Sequence, residues 1–333
     1  MSNRVVVTGL GVISSLGADV DTVWHALCDG QTNITPIPSH WKEYSDYYSH
    51  FWAPISEYNP ADFSISRIDK MQLSPCTILG LGAVYQALKS ANISFDCIDK
   101  VKQKFRLSGI DVERVGVFAG TGVGGLTSLI DNEAHHVLSP LSQCLSSNDS
   151  LNHSAQWETA QSLMRFPRRF NPMVVSMIMP NAVSASIGVR YGITGPNTTF
   201  TTACASGTTA IGEGYRSIVS GETDLVIAGG AEYLGDTFGG IFRGFDSART
   251  LTRIDNVDRC NRPFDTDRSG FLFSEGGAAF LILENEEHAL KRNAKPLAEI
   301  DGYGVSSDAY SIMGMSPDNN SIRRMLLRLL SQS

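Results

Sequence analysis

Short apolar runs alternate along this chain with stretches whose apolar positions recur every three or four residues. That alternation predicts layered α/β architecture. Val5–Thr8 is an uninterrupted apolar run and predicts a buried strand. Asp21–Asp29 (DTVWHALCD) predicts a helix with Val23, Trp24 and Leu27 turned inward. Ile78–Asn92 predicts an amphipathic helix carrying Ile78, Leu81, Val84, Tyr85 and Leu88 on one face. Val115–Ala119 predicts a strand and Gly120–Gly125 a glycine-rich turn. The β-branched and aromatic run Thr198–Thr202 predicts a strand, and Ala205–Ser220, with Ile211, Tyr215 and Ile218 at helical spacing, predicts the helix after it. A further strand is centred on Ala298–Ile300.

Two stretches interrupt the pattern. Ser94–Arg106 is mixed and charged and reads as an insertion. His135–Arg169 contains SSNDSLNHS and reads as a long surface excursion of little periodicity. The final SIRRMLLRLLSQS predicts an amphipathic helix over Ile322–Leu330, with Ile322, Met325, Leu326, Leu329 and Leu330 apolar.

Composition narrows the function classes. The 333 residues are 42% hydrophobic, enough for a sizeable core. A net charge of −7 gives no reason to expect nucleic acid or an anionic membrane surface as partner. An acidic protein partner would need a local basic patch. Arg165, Arg168 and Arg169 offer one, although a solvated turn explains that cluster more simply. No apolar run approaches a membrane span, and the amino terminus enters a strand without a signal peptide. The six cysteines are scattered with no C-x-x-C pair, which fits free thiols in the cytoplasm rather than a disulfide frame or a metal site.

One cysteine stands out. In PNTTFTTACASG (Pro196–Gly207), Cys204 lies where a strand hands over to a helix. The positive end of a helix dipole favours a thiolate there, and free backbone N–H groups can stabilise an oxyanion. A buried structural cysteine is the alternative. GTGVGG (Gly120–Gly125) invites a phosphate-cradle reading, but no Lys-Ser or Lys-Thr follows, and close backbone packing beside a pocket fits better. Asp265 and Asp267 in RPFDTDRSGF could do acid–base work, but a loop in which Arg and Asp satisfy one another is favoured.

TACASG closely resembles the active-site signature of β-ketoacyl-acyl carrier protein synthases, the type II condensing enzymes of fatty acid synthesis. RVVVTGLGVISSLG (Arg4–Gly17), GVFAGTGVGGL (Gly116–Leu126), DLVIAGGAE (Asp224–Glu232) and RPFDTDRSGFLFSEGGAAFLILE (Arg262–Glu284) resemble other segments of that family, in the family's order. The resemblance implies a thiolase-like, layered α/β/α/β/α fold of two related halves: residues 1–250 with the nucleophile, and residues 251–333 as an incomplete second half. It implies that Cys204 carries the acyl group, that Val123 lines the acyl channel and that Phe245 lies near the nucleophile. It implies acyl carrier protein thioesters as substrates, no metal or redox cofactor, and a homodimer with the Thr198–Thr202 strand at its two-fold interface. The family's H-G-T-x-T and K-x-x-x-G-H motifs, which supply two histidines for the malonyl step, do not occur in this sequence, nor does the glycine- and phenylalanine-rich loop of its oxyanion hole. Only His288 follows Cys204, in ENEEHALKR, which reads as a solvated helix. A second polypeptide could bring the missing histidines. A polyketide ketosynthase, a non-catalytic partner subunit and a cysteine hydrolase are the alternatives.

Overall fold

Six strands make the central sheet of the computed structural model, which describes residues 4–146, 153–165, 170–312 and 314–331. They are β1 (Val5–Ile13), β2 (Val115–Gly120), β3 (Asn197–Phe200), β4 (Leu225–Tyr233), β5 (Gly276–Asn285) and β6 (Ala298–Ile300). Their order across the sheet is β6-β1-β5-β4-β2-β3. β2 runs parallel to β3 and β4, whereas β5 runs antiparallel to both β4 and β1, and β6 antiparallel to β1. The sheet crosses the division at residue 250, because β5 and β6 pair with β1 and β4.

Both faces of the sheet are apolar, as the uninterrupted runs in β1, β2 and β4 require. Leu225 and Ile227 face one side with Val115, Val117 and Phe280. Val226 and Ala228 face the other with Val5, Val7 and Leu283. β1 serves both sides, since a register shift between Val7 and Gly9 changes its parity and turns Ile13 to the first face. The Pro75–Ser90 and Ala182–Tyr191 helices cover the first face and the Ser206–Val219 helix the second. Among the described residues the stack is therefore helix, sheet, helix.

The Pro75–Ser90 helix is enclosed rather than amphipathic, with Cys76 through Val84 all buried. Glycine makes this possible: a Cβ at Gly11 would stand 1.9 Å from the Ala83 carbonyl oxygen, so the helix backbone rests directly on β1. A third apolar cluster, centred on Trp41, Phe242 and Phe273, sits apart from the sheet.

Three expectations change on folding. Trp24 and Leu27, expected inward, are 64% and 57% exposed, because the Val20–Cys28 helix buries its Ala26 side instead. Ser94–Arg106 forms an antiparallel hairpin, Phe95–Asp99 with Lys104–Leu107, whose Phe95 and Phe105 pack on Tyr191. The expected excursion over His135–Arg169 is largely helical, from Leu126–Ser146 into His153–Met164. Leu126, Ile130, Val137, Leu141 and Leu145 recur at helical spacing there, and the Ser, Asn and His content masks that period. Of the basic cluster, Arg165 is exposed, and Arg168 and Arg169 lie outside the described residues. Among the described residues no helix is long and apolar enough to cross a membrane.

Candidate active site

The parallel strands β2, β3 and β4 end along one edge of the sheet, where open α/β sheets form their crevices. After β3 the chain makes a short 3-10 turn, Ala203–Ala205, and enters the Ser206–Val219 helix. Cys204 sits on that turn and is exposed. Ala203, just before it, is left-handed at φ +51°. A residue with a Cβ costs about 1 kcal/mol there, so the surroundings must hold it.

Ser206 supplies the hold. It is buried, and its Oγ accepts from the Thr202 N–H at 2.8 Å. The Ser206 hydroxyl has the Ala203 carbonyl at 2.6 Å and the Thr121 carbonyl at 3.2 Å as acceptors. The Ala205 N–H donates to the Thr202 carbonyl at 3.1 Å, and the Thr202 and Thr209 hydroxyls pair at 3.0 Å. The turn can settle this close to β2 because residue 120 is glycine, where a Cβ would stand 2.2 Å from the Ser206 carbonyl carbon.

The glycine-rich turn after β2 wraps around a carboxylate. Glu232, at the end of β4, accepts from the Gly122 N–H at 2.6 Å, the Val123 N–H at 3.2 Å and the Thr121 hydroxyl at 3.2 Å. Amides already committed to a carboxylate offer nothing to a phosphate, which answers the cradle reading in favour of close packing. Burial raises the Glu232 carboxyl above its ordinary range, and these three hydrogen bonds only partly offset it. Burial, with Glu232 beside it, pushes the Cys76 thiol up to about 12.

The remaining sequence candidates fall in different places. Val123 is 40% exposed, on the turn whose Thr121 bonds the Cys204 turn. Phe245 packs edge-on against Phe271 and Phe273 in the third cluster. Surface clefts of 430–460 Å³ lie elsewhere and are not lined by Cys204, Val123 or Phe245. Asp265 is taken up by Arg262 at 2.7 Å and by the Asp267 N–H at 2.8 Å, the self-satisfied loop that was favoured. His288 is only partly solvated: its Nδ1 lies 2.8 Å from Oε2 of Glu284, which is fully buried and also bonded by Arg292 and Thr8. The salt-bridged loop and the His288–Glu284 pair serve packing. Cys28, Cys76, Cys97, Cys204 and Cys260 are free thiols. Sequence reasoning passed over Ser206, Thr121 and Glu232. The one available signal was an acid closing an otherwise apolar run in DLVIAGGAE.

Comparison with known proteins agrees with this architecture. The family model described as β-ketoacyl synthase, N-terminal domain, matches residues 2–288. The 3-oxoacyl-[acyl-carrier-protein] synthase 2 of Synechocystis is 31% identical over 331 residues, 99% of this chain and 69% of that protein. That of Vibrio harveyi is 31% identical over 318 residues, covering 95% and 66%. Among solved structures, a β-ketoacyl synthase from Burkholderia phymatum superposes with a TM-score of 0.76 at 25% identity, over all of this chain and 70% of that one. The ishigamide ketosynthase/chain length factor does so with a TM-score of 0.71 at 28% identity, over the same shares.

Proposed function

The chain belongs to the β-ketoacyl synthase family, and from that premise we propose that it is a 3-oxoacyl-[acyl-carrier-protein] synthase whose Cys204 accepts the acyl group. The observation that carries this reading is Cys204 itself: an exposed thiol on a strained turn, at the amino end of the Ser206–Val219 helix. Its sulfur attacks the carbonyl of an acyl carrier protein thioester. An S–C bond forms to Cys204 as its thiol proton goes to solvent, and the bond to the carrier sulfur breaks, expelling a thiolate that takes a proton back from solvent. The Cys204 N–H at the helix start faces the tetrahedral oxyanion. Val123 and Phe245 are assigned to the acyl chain in this reading, Val123 with support from its turn's bond to Ser206.

The second half of the reaction asks for hydrogen-bond donors to the malonyl thioester as it loses CO₂. His288 is committed to Glu284, and no other histidine follows Cys204. The reading therefore assigns acyl transfer to Cys204 and leaves the malonyl step to histidines outside these 333 residues. A non-catalytic partner subunit is the second reading, favoured by that same commitment of His288. A cytoplasmic setting is part of the proposal, supported by the free thiols.

Mass spectrometry after brief treatment with iodoacetamide or a radiolabelled acyl thioester tests the assignment. Cys204 is expected to label ahead of the exposed Cys28 and Cys97, and to take acyl label, while this chain alone releases little CO₂ from malonyl carrier protein. Equal labelling of the three would sink the nucleophile and favour the partner-subunit reading. The proposal also includes a homodimer joined along β3, which is the outermost strand of the sheet and presents an exposed edge. Light scattering should give a dimer, and a monomer at micromolar concentration would count against it.

A further inference from the structure

We infer that Glu232 is the positioning residue of Cys204: its carboxylate, acting through Thr121, sets the turn that presents the thiol. The inference rests on the reading of Cys204 as acyl acceptor. Its basis is a convergence of four chain segments on one residue. Thr121 donates its N–H to the carbonyl of Phe200, the last residue of β3 before the Cys204 turn, at 3.1 Å. The Thr121 carbonyl is an acceptor for Ser206, the first residue of the helix after that turn, at 3.2 Å. The Thr121 hydroxyl accepts from the Gly124 N–H at 3.0 Å and donates to Glu232 at 3.2 Å. Both sides of the Cys204 turn are thus tied to a residue that the Glu232 carboxylate clamps, together with the two amides that follow it.

Among the described residues no cation pairs with Glu232. Its side-chain partners are backbone amides and the Thr121 hydroxyl, chiefly on the Thr121–Val123 turn, so the carboxylate is not there to neutralise a charge. A half-buried carboxylate with no cation beside it is costly and persists where its hydrogen bonds organise backbone. The other ionisable group facing it is the Cys76 thiol from the Pro75–Ser90 helix, held up at about 12 and so protonated wherever Cys204 chemistry would run. Because burial raises the Glu232 carboxyl, the clamp should lose its charge at a higher pH than an ordinary carboxylate.

The test is the rate of Cys204 alkylation by iodoacetamide across a pH series, read by peptide mass spectrometry, in the native chain, Glu232→Gln and Glu232→Ala. The native profile should show a lower limb, above the usual carboxylate range, beneath the rise from thiol ionisation. In Glu232→Gln that limb should vanish and the rate at neutral pH fall about tenfold, the penalty of a misaligned reacting group. Labelling of the buried Cys260 gauges general loosening and should stay slow in all three proteins. If Glu232→Ala fails to fold, the near-isosteric Gln variant decides. A native rate and an unchanged pH profile in Glu232→Gln would overturn the inference, as would a rate loss accompanied by faster Cys260 labelling. Alkylation reports thiol placement whether or not Cys204 accepts acyl groups. A chain that alkylates at Cys204 with the Glu232 limb but takes no acyl label would sink the proposed function and leave this inference standing.

Discussion

Two alanines in this protein adopt the same unfavourable backbone conformation in opposite surroundings. Ala203 and Ala309 are both left-handed, at φ +51°. Ala203 sits between a sheet edge and a helix, braced by buried Ser206 and by a glycine in β2 that lets the two segments touch. Ala309 sits in Val305–Asn319, which has no helix or strand among its described residues, and is held by Asp308 accepting from Tyr310 at 3.2 Å and Ser316 at 2.9 Å. The apolar residues around it, Ile312 fully and Met315 largely, face solvent. Beyond them the Asn320–Leu330 helix covers Gly302 and Gly304 with Leu329 and Met325 but leaves Leu326, Leu327 and Leu330 exposed. The same local strain is thus over-determined in one place and merely tolerated in the other, and only the over-determined one sits beside a nucleophile candidate.

Substitutions should separate the two regions most sharply where backbone meets backbone. Gly120→Val would drive a side chain into the Ser206 carbonyl, at 2.2 Å for its Cβ alone, and should cost about 4 kcal/mol or prevent folding. Denaturant unfolding would show it, and a loss under 1 kcal/mol would mean that the Cys204 turn has room to move and the contrast is false.

The second test concerns the part of residues 251–331 that is built into the sheet. Burial alone would raise the Glu284 carboxyl, but bonds from Arg292, His288 and Thr8 outweigh that and hold it down at about 2. Its folded pKa lies below the ordinary 4.5, so the stability it contributes is present above pH 4.5 and is lost as pH falls through about 2. The magnitude is about 3 kcal/mol by linkage. Glu284→Gln should remove a similar amount at neutral pH and flatten the acid limb of the stability curve. An unchanged limb would mean that another group carries the acid sensitivity.

The smallest effect is expected at the tolerated alanine. Ala309→Gly relieves the strain at an exposed site and should change stability by less than about 1 kcal/mol in either direction, because glycine's extra unfolded-state entropy works against the relief. Thermal melting would check this, and a large loss would show that the Val305–Asn319 segment is braced after all.

Much of the fold was legible in the sequence. The apolar runs at Val5 and Val115 and the segment centred on Ala298–Ile300 all became strands of one sheet, and the Ala205–Ser220 pattern became the Ser206–Val219 helix. Cys204 was placed on the strand–helix junction from residue types alone, and there the chain puts it. The reason is local: strand and helix periods, glycine punctuation and the residues around a junction are all written within a few positions of one another.

The tertiary structure decided what depends on partners distant in sequence. Trp24 and Leu27 match a helical face as well as Val23 does, and only packing put Ala26 inside instead. Glu284 lies only four positions before His288, but its burial and its bond to Thr8, 276 positions away, are set by the packing of β5 against β1. Glu232 reads as a surface acid until the turn after β2, 110 positions away in the chain, wraps its amides around it. Periodicity records which residues prefer burial. It cannot record which distant amide, cation or glycine will meet them, because that is set when the strands choose their neighbours.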